Sequence, residues 1–113
     1  MRLISFDIDG TMTFGAPSGT ITPEFVKQAQ AIGYIVGSAS DRTIANQQDM
    51  WKENGVELNF VSLKHRLHEV KEQFPADDYL HIGDTDMDRH FALQAGFRFA
   101  DVRTIDPESN WIP

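Results

Sequence analysis

The chain has 113 residues, 41% of them hydrophobic and 24% charged, and no cysteine; this is the composition of one globular domain with a single core, expected to span 1–113, and it excludes disulfides, zinc–thiolate sites and thiol nucleophiles. A formal charge of −7 argues against a nucleic-acid partner, which requires a basic face. The opening MRLISFDIDG meets Asp too early for a signal peptide or a membrane span, so a cytoplasmic protein is the default expectation.

Leu3 to Ile8 is a short apolar, β-rich run expected to form a buried strand ending in the turn Asp7-Ile8-Asp9-Gly10. Residues 12–21, rich in Gly, Thr, Ser and Pro, read as an irregular loop or small flap. Thr22-Pro23-Glu24 supplies a capping hydroxyl, a proline at the first helical position and an early acid, predicting a helix to Ile32 that Gly33 ends. A second strand is expected over Tyr34–Ala39 and a second helix over Arg42–Glu53, stopped by Asn54-Gly55. Val56–Ser62 predicts a third strand. Leu63, Leu67, Val70 and Phe74 have helical spacing, with Pro75 just beyond. Tyr79–Ile82 predicts the fourth strand and Phe97–Val102 the fifth. Between them a helix over Asp86–Ala95 carries Met87, Phe91 and Leu93 and stops at Gly96. The tail DPESNWIP is too polar for another element, leaving Trp111 and Ile112 to pack back on the body.

Strands alternating with helices of about ten residues predict an α/β protein. The expected architecture is a three-layer α/β/α sandwich: a Rossmann-like, doubly wound parallel sheet of about five strands. Ligands of such sheets bind at the carboxyl ends of the strands. The polar residues that follow the strands (Asp7 and Asp9, Ser38 and Ser40, Ser62 and Lys64, Asp84 and Asp88) therefore all belong to one edge.

On an extended segment, Asp7 and Asp9 would leave the chain on the same side, with Gly10 allowing an immediate turn. Two carboxylates about 4 Å apart repel by roughly 4 kcal/mol at an effective dielectric near 20, and Asp84 adds to the conflict. A hard divalent cation such as Mg²⁺ would relieve it. The bland alternative for Asp-Ile-Asp-Gly is a solvated turn, but Gly83-Asp84-Thr85-Asp86-Met87-Asp88 repeats the pattern after another strand, with Thr85 or Asp86 suited to cap the helix and Asp88 near its start. Lys64, placed after the third strand, would neutralise an ionised or phosphorylated Asp.

These residues resemble the haloacid dehalogenase superfamily across residues 1–102. Asp7-Ile8-Asp9-Gly10-Thr11 is similar to its first signature, Ser40 to its second, Lys64 to its third and Gly83-Asp84-x-x-x-Asp88 to its fourth. Ser38 competes with Ser40, and Lys71, deep in its helix, competes weakly with Lys64. The resemblance implies an Mg²⁺-dependent phosphatase in which Asp7 is the nucleophile and Asp9 the general acid and base. It implies further that Thr11, Ser40 and Lys64 hold the phosphoryl group. Metal ligation would come from Asp7, the backbone carbonyl of Asp9, and Asp84, with Asp88 in support. An acid at position 9 favours phosphatase or mutase chemistry over dehalogenation. Met87 stands where sugar-phosphate phosphatases of the superfamily often carry Asn, a departure that touches the support of the metal.

About ten loop residues follow Thr11 and 23 residues separate Ser40 from Lys64, too few for the cap domains of many relatives. The expectation is a capless, minimal member with an open site. Such a site suits a small or macromolecular phosphorylated substrate, or closure by a second copy in a homo-oligomer. Two other classes compete. A receiver-like phosphoacceptor domain would carry its Asp after the third strand, where this chain has Phe60-Val61-Ser62. A catalytically silent binding module would not need Asp9. Among the remaining polar residues, His65 and His68 read as helix surface and His81 as a core or sheet-face residue. Trp51 and Phe74 read as core, and Arg42 as a phosphate contact or a salt-bridge partner of Asp41 or Asp49.

Overall fold

A computed structural model describes residues 1–106 and 108; the expected packing of Trp111 and Ile112 lies outside the described residues. The elements run β1 (Arg2–Phe6), α1 (Pro23–Ile32), β2 (Ile35–Ser40), α2 (Ile44–Glu53), β3 (Phe60–Leu63), α3 (Leu67–Gln73), β4 (Asp78–Gly83), α4 (Asp86–Gln94) and β5 (Arg98–Asp101). Every pairing is parallel and the strand order is β3-β2-β1-β4-β5. The chain winds from β1 out to β3, then returns to β4 on the other side of β1. No helix among the described residues is long and apolar enough to cross a membrane.

Side chains alternate across the sheet, so each strand feeds both faces. Ile4, Phe6, Leu80 and Ile82 pack with Phe25, Val26 and Ala29 of α1 and with Trp51 of α2. Leu3 and Ala39 pack on the opposite face with Leu67 and Val70 of α3 and Ala92 of α4. Each fully buried large side chain contributes about 1.5–3 kcal/mol, and these two layers hold the three-layer sandwich together.

Local chemistry explains most boundaries. Thr22 caps α1 by accepting from the Phe25 N–H, and Gly33 ends it at φ 102°, a conformation that favours glycine. Four segments depart from expectation. β1 stops at Phe6 because the Thr11 and Met12 N–H groups both fold back onto the Ile8 carbonyl. β3 begins at Phe60 rather than Val56, since Asn59 makes the preceding contacts with β2: its N–H donates to the Val36 carbonyl at 2.8 Å and its Oδ1 accepts from the Val36 N–H at 3.0 Å. Lys64–Arg66 form a 3₁₀ turn before α3, and Phe74, preceding Pro75, is extended. In α4 the buried residues are Asp88 and Ala92, while Met87 and Leu93 are 52% and 55% exposed. A polar residue, Asp88, sets the rotation of this helix, against the apolar reading of Met87 and Leu93.

Candidate active site

The carboxyl ends of β1, β2, β3 and β4 meet around a cleft of about 160 Å³ lined by Asp7, Asp9, Pro17, Ser40, Asp41, Lys64, Asp84 and Thr85. That volume accommodates a phosphoryl-sized group, so the rest of a larger ligand would lie outside it. Cavities of about 690 and 280 Å³ flank β3 and contain none of these acids.

Asp7 is 3% exposed. Its N–H donates to the Ile82 carbonyl at 2.9 Å, which ties the end of β1 to β4. The buried Lys64 comes from the 3₁₀ turn after β3, and its Nζ lies 3.3 Å from Asp7 Oδ2, 2.9 Å from Asp88 Oδ1 and 3.6 Å from Asp41 Oδ2. Burial opposes its charge, but Asp7 and Asp88 outweigh burial and hold the ammonium above its usual range. Burial, then Asp88, push the Asp7 carboxyl up to about 8, against the pull of Lys64. Burial and Asp88 likewise raise Asp84.

Asp88 is fully buried and saturated with donors. It accepts from His81 Nε2 at 2.9 Å, the Asp84 N–H at 3.2 Å, the Thr85 N–H at 3.1 Å and Thr85 Oγ1 at 2.7 Å, in addition to Lys64. Burial would raise its pKa, but His81 and Lys64 hold it well below the carboxylate range. Thr85 both caps α4 and closes a reciprocal capping box with Asp88.

Oxygens of Asp7, Asp84 and Asp88 all lie within 4.8 Å of one another. Asp84 Oδ1 is buried without a hydrogen-bond partner. A ring of hard oxygen donors, one of them unsatisfied and two held above their normal pKa, fits a divalent cation of the Mg²⁺ type. Gly10 makes room for it: at φ +75° a Cβ there would stand 1.9 Å from Asp84 Oδ2.

Asp9 lines the cleft, but its carboxylate stands outside this cluster. The strand ends at Phe6, and Asp9 faces the same cleft as Asp7. Arg42 Nε donates to Asp9 Oδ2 at 3.0 Å and Arg42 Nη2 to Oδ1 at 2.9 Å, joined by the Ala16 N–H at 2.9 Å. Burial would raise Asp9, but the Arg42 and Ala16 hydrogen bonds hold it low. Arg42 thus bridges to Asp9, neither to Asp41 nor to Asp49, and its Nη1 reaches Asn46 Oδ1 at 2.8 Å.

Ser38 and Ser40 separate cleanly. Ser38 Oγ donates to Gln47 Oε1 at 2.7 Å, inside the core, and Gln47 Nε2 ties the carbonyls of Arg42 and Ser62. Ser40 lines the cleft and accepts from the Arg42 N–H at 3.2 Å. Thr11 does not line it: the side chain is fully buried and its Oγ1 has no hydrogen-bond partner. His65 and His68 are exposed, and Trp51 is core. His81 was legible as a core residue; its bond to Asp88 was not, because it depends on how α4 is rotated against β4.

No family model matches the chain, and no curated protein matches it. Among solved structures, the fold is shared with the D,D-heptose 1.7-bisphosphate phosphatase from B. bronchiseptica, crystallised in complex with magnesium and phosphate. The two are 13% identical, with a TM-score of 0.63 over 88% of this chain and 79% of that one. The architecture is accordingly a Rossmann-like fold shared with that phosphatase.

Proposed function

We propose that the protein is a Mg²⁺-dependent phosphomonoesterase working through an aspartyl phosphate on Asp7. The observation that carries this reading is the buried Asp7 carboxylate at a strand end, 3.3 Å from Lys64 and within 4.8 Å of Asp84 and Asp88 at the floor of a phosphoryl-sized cleft. In the first step an Asp7 oxygen attacks phosphorus and the bond to the ester oxygen breaks. Asp9 gives that oxygen a proton. In the second step Asp9 takes a proton from water, which attacks the phosphorus and releases phosphate from Asp7. Ser40 and Lys64 hold the phosphoryl oxygens throughout. Asp7 and Asp84 would hold the cation, together with the Asp9 carbonyl; Asp88, its oxygens already engaged, supports Lys64 and the Asp84 loop. Once bound, Mg²⁺ would offset the negative charge shared by the carboxylates and the phosphoryl group. The remaining work is positioning and charge neutralisation by the chain itself.

The Arg42 bridge holds Asp9 as a carboxylate, the form the second step needs. In the first step the incoming anion competes for Arg42 and frees Asp9 to carry a proton. The small cleft leaves the alcohol portion of the substrate outside, which suits a bulky small molecule or a macromolecular phosphate, or closure by a second copy of the chain.

Hydrolysis of an aryl phosphate is expected with Mg²⁺ and not with EDTA, and Asp7→Asn is expected to lose roughly 10³-fold or more. Equal rates in wild type and Asp7→Asn would reject the nucleophile. The Arg42–Asp9 bridge also favours a second reading, a metal-binding module that does not turn over; Mg²⁺ binding without hydrolysis across sugar phosphates, nucleotides and phosphopeptides would select it.

A further inference from the structure

We propose that Ser5 and His81 form a buried relay that positions Asp88, and through it Lys64, for the reaction on Asp7. This rests on the phosphatase reading above. Ser5 on β1 and His81 on β4 are direct register partners, so the sheet itself sets them side by side. Both are fully buried, on the face that packs against α3 and α4. Ser5 Oγ lies 2.6 Å from His81 Nδ1, and His81 Nε2 lies 2.9 Å from Asp88 Oδ1. The same Asp88 oxygen is 2.9 Å from Lys64 Nζ, which continues to Asp7 at 3.3 Å.

Donor counting fixes the bond to Asp88: the carboxylate only accepts, so His81 donates from Nε2. The Ser5 hydroxyl, which can donate or accept, pairs Nδ1, and every polar atom in the relay has a partner. A polar pair of this kind inside an apolar layer adds little net stability, because two apolar residues of matched shape could replace it at little cost. Its effect falls instead on the groups at its end. With His81 sharing Oδ1, Lys64 divides its donors between Asp88 and Asp7. Without His81, Asp88 has Lys64 alone on that oxygen and draws it away from Asp7 and the phosphoryl group.

The test uses the full chain and His81→Leu, His81→Gln and Ser5→Ala. Aryl phosphate hydrolysis is followed with Mg²⁺, and the ring nitrogens of His81 are observed by NMR. We expect His81→Leu to fold and lose roughly 10- to 100-fold in kcat with a smaller change in KM, as for other residues that orient reacting groups. His81→Gln, whose amide nitrogen can still donate to Asp88, should recover most of that loss. The wild-type ring should carry a proton on Nε2, where it bonds Asp88. Wild-type kcat in a folded His81→Leu, or a ring without a proton on Nε2, overturns the relay. If His81→Leu does not fold, a reduced kcat in Ser5→Ala supports the relay and a wild-type kcat in Ser5→Ala overturns it. A wild-type protein that hydrolyses nothing sinks the phosphatase reading instead, and the ring spectrum then decides the relay alone.

Discussion

Asp7 and Asp88 are both buried carboxylates beside Lys64, yet they act on stability with opposite sign. Burial and Asp88 push Asp7 up to about 8. An unfolded Asp titrates near about 3.9, so between about pH 4 and 8 the folded chain holds a proton that the unfolded chain has lost. Cation-free protein therefore loses stability from this group as pH rises through that window, and the loss is complete above the folded value. Asp7→Asn removes the penalty. Calorimetry in EDTA at pH 8 should show it melting roughly 4 °C or more above wild type, with the gap closing near pH 4; a lower melting point at pH 8 would mean that Asp7 ionises without strain. Burial also works against the charge on Asp88, but His81 and Lys64 depress its pKa. Its contribution is present above about pH 4 and disappears as pH falls through the folded value. Asp88→Asn should thus destabilise at neutral pH, by about 3–5 kcal/mol, because Lys64 and the donors around it lose their shared anion. The acids themselves were legible, since each follows an apolar run. The Arg42–Asp9 bridge was not, because Asp41 lies next to Arg42 in sequence while Asp9 reaches it only through the fold.

The helix ends divide into those that serve the fold alone and those that also serve the cleft. Thr22 caps α1 with one bond, to the Phe25 N–H at 3.1 Å, away from the acids. Thr85 caps α4 and in addition donates its hydroxyl to Asp88 at 2.7 Å. Thr22→Ala should cost about 1 kcal/mol in denaturant melts with turnover unchanged. Thr85→Val should cost more and also slow turnover, because Asp88 loses a donor next to the Asp84 loop. Equal turnover in the two variants would show that the α4 cap is structural only. The α1 cap could be read from sequence as Thr-Pro-Glu, and the α4 cap was narrowed to Thr85 or Asp86, of which the structure selects Thr85. The orientation of α4 could not be read: Met87 and Leu93 have the composition of a buried face, yet the bonds of Asp88 to Lys64 and His81 turn them to solvent. Likewise Val56 and Leu58 join the core without joining a strand, because Asn59 makes the contact with β2 in their place.

At the scale of the molecule, strand order decides which side chains can meet. Alternating apolar runs and helical periods were enough to foresee a parallel doubly wound sheet. β1 lies at its centre because the chain reverses direction across the sheet between β3 and β4. That reversal brings Asp7 beside Asp84 although 76 residues separate them in sequence. The arrangement makes folding and cation binding interdependent: the unfolded chain has no such cluster, so a cation that binds only the folded form adds stability by mass action. At about one hundred times its dissociation constant the gain is about 2.7 kcal/mol. Millimolar Mg²⁺ should accordingly raise the melting temperature relative to EDTA, and more at pH 8 than at pH 4, where protonated Asp7 no longer competes for the ion. Gly10→Ala offers an independent check that this shift arises in the cleft. A Cβ there meets Asp84 Oδ2 at 1.9 Å, in a backbone conformation already unfavourable for alanine, so the carboxylate must move. The variant should melt lower in EDTA and gain less from Mg²⁺ than wild type does. If instead Mg²⁺ stabilises both by the same amount, the ion is acting elsewhere on a protein of net charge −7, and the Asp7–Asp84 pair is not its site.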